Sequence, residues 1–437
     1  MSFEQSREEP VTAGMLLGIG LGHYEHQEPA RAAEAFRAAI RLAPGLTAAH
    51  SNLGVVLRHL GRFEESLAAY AQALALRPDA ADVLYNSGFA LVGLGRLAEA
   101  EAVYRRVTEL DPAGAGAHHQ LGQLLLLRGA MAEGAAEFEW RANNVFFRDR
   151  PETRHHVPVW DGRPLPDSTL WLQAEGGIGD AIQFIRYVPR LLDRVGRVAL
   201  SYRPDLAHLF RTLAGGDRVL HNPTSITRVG GCAMFLSLPH LAGTTLDTVP
   251  ADTPYLKADP GLVDHWRRVL ADVPGLKVGL AWESRGDRVR SVAVAELLAA
   301  LGSIPGVSLI SLQKGLGAEE LAALPEEQRA RIRCYALDEG GEVFADTAAI
   351  MTVVDLVITI DTAVAHLAGA LGVATWVLLA HLPEWRWLMD REDSPWYPTL
   401  RLFRQRTAGD WAPPLAEAAG LLRWMAAVAS VRSNPSQ

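Results

Sequence analysis

A spacing of 34 residues recurs through the first third of this 437-residue chain. Pro44, Pro78 and Pro112 stand at it, as do Gly20, Gly54, Gly88 and Gly122, and a second glycine series, Gly61, Gly95 and Gly129. The aromatic column Phe36, Tyr70, Tyr104 and Phe138 keeps the same register, and so does Leu42, Leu76 and Leu110. No other feature constrains the fold as strongly. A unit of this size cannot bury its apolar face alone, and does so only by stacking on its neighbours.

The period and the residue types resemble the tetratricopeptide (TPR) repeat, a helix–turn–helix unit stacked into an α-solenoid. The Gly54 column then allows close helix approach, and the Gly61 column lies at the turn between the two helices. The Phe36 column packs on the second helix. The Pro44 column ends that helix, since proline donates no hydrogen bond. Four repeats follow, at 11–44, 45–78, 79–112 and 113–146, after an N-terminal tail at 1–10. The first is degenerate and the fourth lacks the closing proline, as suits terminal units. Asn52, Asn86 and Gln120 share one column, two residues before the repeat glycine. In the TPR region of O-GlcNAc transferases, which this region resembles, asparagine there lines a groove and holds extended peptide backbone. A carboxamide both donates and accepts, which suits that task. A helix–helix contact or a solvated polar stripe explains the column equally well.

Residues 147–168 are polar and proline-rich and are expected to be a linker. Beyond them short apolar runs alternate with helical patterns, which implies parallel sheets covered on both faces. A first lobe over 169–260 has a strand at Leu170–Gln173, a helix over Ala181–Val195, a strand at Arg197–Ser201, a helix over Asp205–Ala214 and an apolar segment at Ala233–Leu238. A second lobe over 261–437 has strands at Lys277–Trp282, Val307–Leu312, 331–336, Leu356–Ile360 and Thr375–Leu379, with helices at 292–302, 318–324 and 343–351. The fold class is thus a TPR α-solenoid followed by two Rossmann-type lobes with a cleft between them. Six of the eleven tryptophans fall between Trp376 and Trp424. They are read as filling a loop-rich domain edge, with stacking on a sugar or base as the other use.

Two strand-to-helix turns carry candidate chemistry. In Gly176-Gly177-Ile178-Gly179-Asp180, glycines bring backbone N–H groups and a helix start close to an oxygen-rich ligand. This is not a dinucleotide fingerprint, because Ile182 holds the third glycine position, nor a Walker loop. Asp180 stands at the first turn, where it serves either as a functional carboxylate or as an ordinary N-terminal helix residue. In Asp361–His366, Thr362, Ala363 and Val364 would direct N–H groups at an anion, with His366 one turn on. A capped helix with a packed histidine is the bland alternative. No Asp-x-Asp pair accompanies an apolar strand, so no metal is expected. Charge neutralisation would fall to the helix end and to Lys314, Arg288 or Arg290.

Charge and composition narrow the functions. With 42 Lys+Arg against 50 Asp+Glu the formal charge is −8, which argues against a general nucleic-acid binder. Cys232 and Cys334 are the two cysteines, too few for a disulfide framework or a cysteine-rich zinc site. No run of 18 apolar residues suggests a transmembrane segment, and residues 1–10 have no signal-peptide pattern. A cytoplasmic, soluble protein is expected.

Gly-Ile-Gly-Asp at 177–180 with Asp-Thr-x-x-x-His at 361–366 resembles the heptosyltransferase-type GT-B glycosyltransferases. Trp171–Pro189, Ser311–Gly315, Phe344–Thr347 and Trp385–Tyr397 are similar to bacterial TPR proteins that carry such a region at the C-terminus. The resemblance implies inverting, metal-independent transfer from a nucleotide sugar to a hydroxyl, without a cofactor. It implies Asp180 as the catalytic carboxylate. Gly177, Gly179, Lys314, Arg290, Asp361, Thr362, Ala363, Val364 and His366 are implied to bind the donor. The acceptor, a protein or peptide, would be presented by the TPR arm. The segment 282–291 departs from its relatives in being shorter and more acidic. Glu283 there would repel a diphosphate unless paired with Arg285 or Arg288. The competing expectation is a TPR interaction protein whose transferase-like region is inactive.

Overall fold

The helical repeats form as paired helices: α1 (Ala13–Glu25) with α2 (Pro29–Leu42), α3 (Thr47–His59) with α4 (Phe63–Leu76), α5 (Ala81–Gly93) with α6 (Leu97–Leu110), and α7 (Ala115–Leu127) with α8 (Met131–Phe138). The computed structural model describes residues 11–143, 157–285 and 287–433. The expected tail at 1–10 and residues 147–156 of the expected linker lie outside these. Two compact units divide the chain, residues 1–126 with 136–150 and residues 127–135 with 151–437.

Each repeat is closed by its own glycine. A Cβ on Gly54 would lie 2.5 Å from the Tyr70 ring, and one on Gly88 would lie 2.4 Å from Tyr104. The aromatic side chain of the second helix therefore lies flat across the first. Gly61 and Gly95, both at φ +71°, make the turns. Helix α1 differs from its successors on its outward side. Met15 and Ile19 are 49% and 50% exposed, whereas Ala49 and Leu53, 34 residues on, are 0% and 8% exposed. Val83 and Ser87, then Ala117 and Leu121, are buried at the same positions.

The second unit holds two all-parallel sheets. The first contains β1 (Leu165–Gln173), β2 (Val195–Ser201), β3 (Val219–His221) and β4 (Val229–Met234), in the order β3-β2-β1-β4. The other contains β5 (Leu276–Leu280), β6 (Val307–Ser311), β7 (Ile332–Arg333), β8 (Leu356–Ile360), β9 (Thr375–Leu379) and β10 (Leu400–Arg404), in the order β10-β9-β8-β5-β6-β7. Strands β8 and β9 are buried at every position, as expected of central strands covered on both faces. The core beneath includes Val278, Leu280, Trp282, Leu356, Ile358, Ile360 and Leu378, closed by Leu415, Ala418, Ala419 and Leu422 of the helix Ala412–Ser433. The chain is a TPR-type helical solenoid followed by a Rossmann-like α/β region.

Several elements differ from expectation. The single helix expected over 181–195 is Ile178–Phe184, a 3₁₀ turn Ile185–Tyr187 and one turn Val188–Leu191, with β2 already under way at Val195. Pro189 has no N–H to carry a helix hydrogen bond through that point. The helix expected over 205–214 is a 3₁₀ turn at Pro204–Leu206 and one helical turn at Ala207–Phe210. The segment at 233–238 is the end of β4 followed by a 3₁₀ turn, because the strand begins earlier at Val229. Only Ile332 and Arg333 of the 331–336 run pair in the sheet, at its edge. Strands β3 and β10 and the helix Ala412–Ser433 were not expected, and β1 starts at Leu165, inside the segment read as linker.

Candidate functional site

Both glycine- and threonine-marked turns stand at the C-terminal ends of central strands, where a parallel sheet opens. Strand β1 ends at Gln173, and the chain turns through Gly176, at φ +73°, into the helix Ile178–Phe184. Strand β8 ends at Ile360, and Thr362 is the N-cap of the helix Ala363–Ala370. The two helices meet at Gly179. A Cβ there would lie 2.9 Å from His366 Cδ2 and 3.3 Å from Ala363 Cα. A glycine in the first lobe thus lets its backbone rest on the helix start of the second.

A cleft of about 530 Å³ lies at this contact. Gly177, Gly179 and Asp180 line it from one lobe, and Asp361, Thr362, Ala363, Val364 and His366 from the other. Lys314 and Arg290 line it as well, together with Arg203, Arg285, Glu283 and Glu384. Arg288 is not among the lining residues. All the donor-site residues expected in the second unit therefore border one space. Asn52, Asn86 and Gln120 lie in the solenoid, half-buried on α3, α5 and α7; the Asn86 amide donates to Asp82 O at 2.8 Å.

Asp180 is held through both oxygens. Its Oδ2 accepts the Gly177 N–H at 2.6 Å, and its Oδ1 accepts from Arg386 Nη2. Arg386 is buried and reaches across from the second lobe. Its Nε donates to Gln183 Oε1 at 2.7 Å and its Nη1 to Glu384 Oε2 at 2.8 Å. Sequence reasoning missed Arg386. It sits between two tryptophans, and two of its three partners, Gln183 and Asp180, are 203 and 206 positions away in the chain. Of the tryptophans expected to fill a domain edge, Trp385 and Trp396 fill this junction, whereas Trp424 is exposed. Trp385 lies 6.2 Å from the Phe184 ring and Trp396 lies 5.9 Å from it, both buried. Arg186, also missed, locks the same junction by donating to Pro250 O at 3.1 Å and to the Trp396 carbonyl at 2.5 Å.

The second-lobe turn is electrostatically mixed. Asp361 is 4% exposed, and its Oδ2 has no hydrogen-bond partner. Burial pushes its carboxyl up to about 6, reinforced by the Glu384 charge and opposed by Trp387, Arg290 and Arg386. Arg290 Nη1 lies 3.8 Å from that oxygen, while its Nε donates to Asp287 Oδ2 at 2.7 Å. Burial, with help from Arg386 and Arg186, holds His366 well below the ordinary imidazole range, so its ring is neutral. Its Nδ1 shares a hydrogen bond of 2.9 Å with the Tyr397 hydroxyl, and its ring stacks 5.3 Å from Trp387. Gln313 ties the segment after β5 to that after β6, its Oε1 accepting from Trp282 N at 2.8 Å and Glu283 N at 3.0 Å. Next to it, Lys314 Nζ donates to Leu337 O at 2.8 Å and lies 3.6 Å from Asp338.

At the start of Ala363–Ala370 the first backbone N–H groups have no intrahelical acceptor, and the helix dipole adds partial positive charge. Lys314, Arg290, Arg285 and Arg203 add full charges around the same space. The arrangement can hold an anion against the second lobe while presenting a carboxylate from the first. Among the described residues no cluster of three His, Cys, Asp or Glu could hold a metal ion, and no helix is long and apolar enough to cross a membrane.

Residues 46–113 and 85–142 match tetratricopeptide-repeat family models. A curated relative, the protein FlbA of Caulobacter vibrioides, is 31% identical over 294 residues, which is 61% of this chain and 48% of FlbA. The chain therefore spans about half the length of that relative. Among solved structures, a MamA crystal structure is 21% identical with a TM-score of 0.29, covering 30% of this chain and 77% of that one. A TPR protein from Parabacteroides merdae is 21% identical with a TM-score of 0.29, covering 32% and 56%. The first TPR of Spaghetti (RPAP3), bound to an HSP90 peptide, is 22% identical with a TM-score of 0.26, covering 26% and 90%.

Proposed function

We propose that the α/β unit is a heptosyltransferase-type GT-B glycosyltransferase. It would move a sugar from a nucleotide-sugar donor to a hydroxyl acceptor, with inversion and without a metal, on an acceptor recruited by the TPR solenoid from protein or peptide. The observation that carries this reading is the Gly179 contact with Ala363 and His366, which sets the Asp180 carboxylate and the Thr362–Val364 amides on one cleft.

The chemistry follows from that juxtaposition. Each Asp180 oxygen accepts one hydrogen bond and keeps lone-pair capacity for another. The carboxylate takes the proton of the acceptor hydroxyl as that oxygen bonds to the anomeric carbon, a contribution of roughly 10²–10⁴ in rate. The bond from the anomeric carbon to the diphosphate oxygen breaks with its electron pair leaving on the diphosphate. The amides of Thr362, Ala363 and Val364, with Lys314 and Arg290, stabilise the charge that grows there. Attack from the lobe facing the leaving group gives inversion.

Calorimetric titration of the full chain with nucleoside diphosphates and nucleotide sugars tests the donor site. An Asp180→Asn chain should bind donor as the parent does and fail to transfer. Turnover unchanged in that variant removes Asp180 from the mechanism. The second reading, a TPR scaffold with an inactive transferase-like unit, is favoured by the occupied state of Asp180 on Arg386 and by Asp361, Glu283 and Glu384 in the cleft. It predicts no nucleotide binding at all.

A further inference from the structure

The cleft sets an anion site beside a carboxyl group that its surroundings leave uncompensated. Asp361 directly precedes the helix start at Thr362, Ala363 and Val364, and all four border the same space. A carboxylate in that place ordinarily caps the helix by accepting its free N–H groups. Asp361 Oδ2 accepts none of them and is buried without a hydrogen-bond partner. The residue is 4% exposed, so bulk water is shut out as well.

The cations around it are engaged by other carboxylates. Arg290 Nη1 is the one cationic group within ion-pair range of Asp361 among the described residues, at 3.8 Å, and its Nε is bonded to Asp287 Oδ2 at 2.7 Å. Arg386, on the turn Trp385–Trp387, gives Nη2 to Asp180 of the first lobe and Nη1 to Glu384. In the segment after β6, Lys314 lies 3.6 Å from Asp338. His366, on the helix that Asp361 precedes, is neutral. Burial, with the like charge of Glu384, holds the Asp361 carboxyl up at about 6, against the pull of Trp387, Arg290 and Arg386.

A diphosphate on the Thr362, Ala363 and Val364 amides brings further negative charge next to this group. Against an ionised Asp361, like charges would meet in a pocket where water screens them poorly. A carboxylic acid removes that repulsion and gains an O–H donor, which serves a phosphate oxygen in a charge-assisted bond. We propose that Asp361 meets its ligand as a neutral carboxylic acid, so that a nucleotide carrying a diphosphate enters this cleft together with one proton from solution. The inference rests on the donor-site reading above, and adds to it that Asp361 acts as a hydrogen-bond donor and not as a fixed charge.

The test is calorimetric titration of the full chain with UDP-glucose, ADP-glucose and GDP-mannose. Their diphosphates are esterified at both ends and so lack the ionisation near pH 6 that a terminal phosphate has. In two buffers of different ionisation enthalpy at about pH 7.5, binding should take up close to one proton, and affinity should fall by up to about tenfold per unit as pH rises above about 6. Asp361→Asn keeps the size and a donor but cannot ionise. It should take up no proton, bind equally at every pH and exceed the parent by about tenfold or more at about pH 8. Glu384→Gln removes a like charge and should move the fall in affinity to lower pH. Binding without proton uptake, or a cooperatively melting Asp361→Asn chain that binds no more tightly than the parent at about pH 8, overturns the proposal and leaves the donor site standing. No binding of the three ligands by either chain at any pH overturns both. Proton uptake by the parent is read without any variant, so an Asp361→Asn chain that failed to fold would still leave the proposal open to refutation.

Discussion

Arg386 of the six-stranded lobe donates from Nη2 to Asp180 Oδ1 of the four-stranded lobe, so a single buried guanidinium fixes the carboxylate on which the proposed chemistry turns. Two further bonds, to Gln183 and Glu384, engage the other two nitrogens of its fork.

Removing that cation should be costly. Arg386→Gln leaves Gln183 without its partner and Asp180, 21% exposed at the cleft, with only the Gly177 N–H, a cost of about 1–3 kcal/mol. Arg386→Lys should recover only part of this, since an ammonium cannot serve three acceptors as a planar fork does. Urea denaturation followed by tryptophan fluorescence, which reports the Trp385–Trp396 cluster, measures both.

Gly179 and Gly177 are neighbours in sequence with opposite tolerance. Gly179→Ala drives a methyl into His366 and Ala363 and should lower both the thermal midpoint and any nucleotide affinity. Gly177→Ala meets only Asp180 Oδ2, at 3.5 Å, and should change the midpoint little. Calorimetry of the two variants side by side separates a contact between lobes from a general demand for glycine.

The pH dependence contains two opposing slopes. The folded Asp361 carboxyl, raised to about 6 from 3.8, stays protonated where the unfolded one ionises, so its stabilising contribution is full below about pH 3.8 and is lost as pH rises through about 6. The neutral His366, lowered from 6.5, does the reverse: the unfolded ring takes a proton below about pH 6.5 and the folded ring resists it, so stability falls as pH drops. Asp361→Asn removes the first slope, worth about 3 kcal/mol for two pKa units. The variant should gain stability above pH 6 and show a steeper loss on acidification than the parent, read from chemical denaturation between pH 4 and 8.

The repeats offer a matched pair. A Cβ on Gly18 would meet nothing within 4 Å, and Gly18→Ala should stabilise α1 by about 0.5–1 kcal/mol through helix propensity. Gly54→Ala, with the Tyr70 ring 2.5 Å away, should instead cost about 1–3 kcal/mol through overpacking. Thermal melts of the two variants test whether the glycine column serves packing.

The repeats were legible because their period is local: every 34-residue unit restates the same glycine, aromatic and proline constraints. The two turns at 176–180 and 361–366 were legible for a related reason, since strand, glycine or threonine, and helix follow one another within a few residues. Arg386 and Arg186 were not, because a guanidinium that bridges lobes leaves no trace in the residues beside it. The run from Ala181 to Val195 misled because its apolar spacing suits one helix, while Pro189 and the early start of β2 break it into three short helical pieces. Strand β10 alternates arginine with leucine and phenylalanine at a sheet edge, a weaker signature than the continuous apolar runs of β8 and β9.

Met15 and Ile19 on α1 hold positions that every later repeat buries. The outward side of α1 is thus shaped to accept a unit like those that follow it. A copy of residues 45–78 spliced ahead of residue 11 would cover Met15 and Ile19 where it now covers Val83 and Ser87, and the lengthened array should melt at a higher temperature. Length in this solenoid is a quantity that gene duplication can change one helix pair at a time without redesigning a contact.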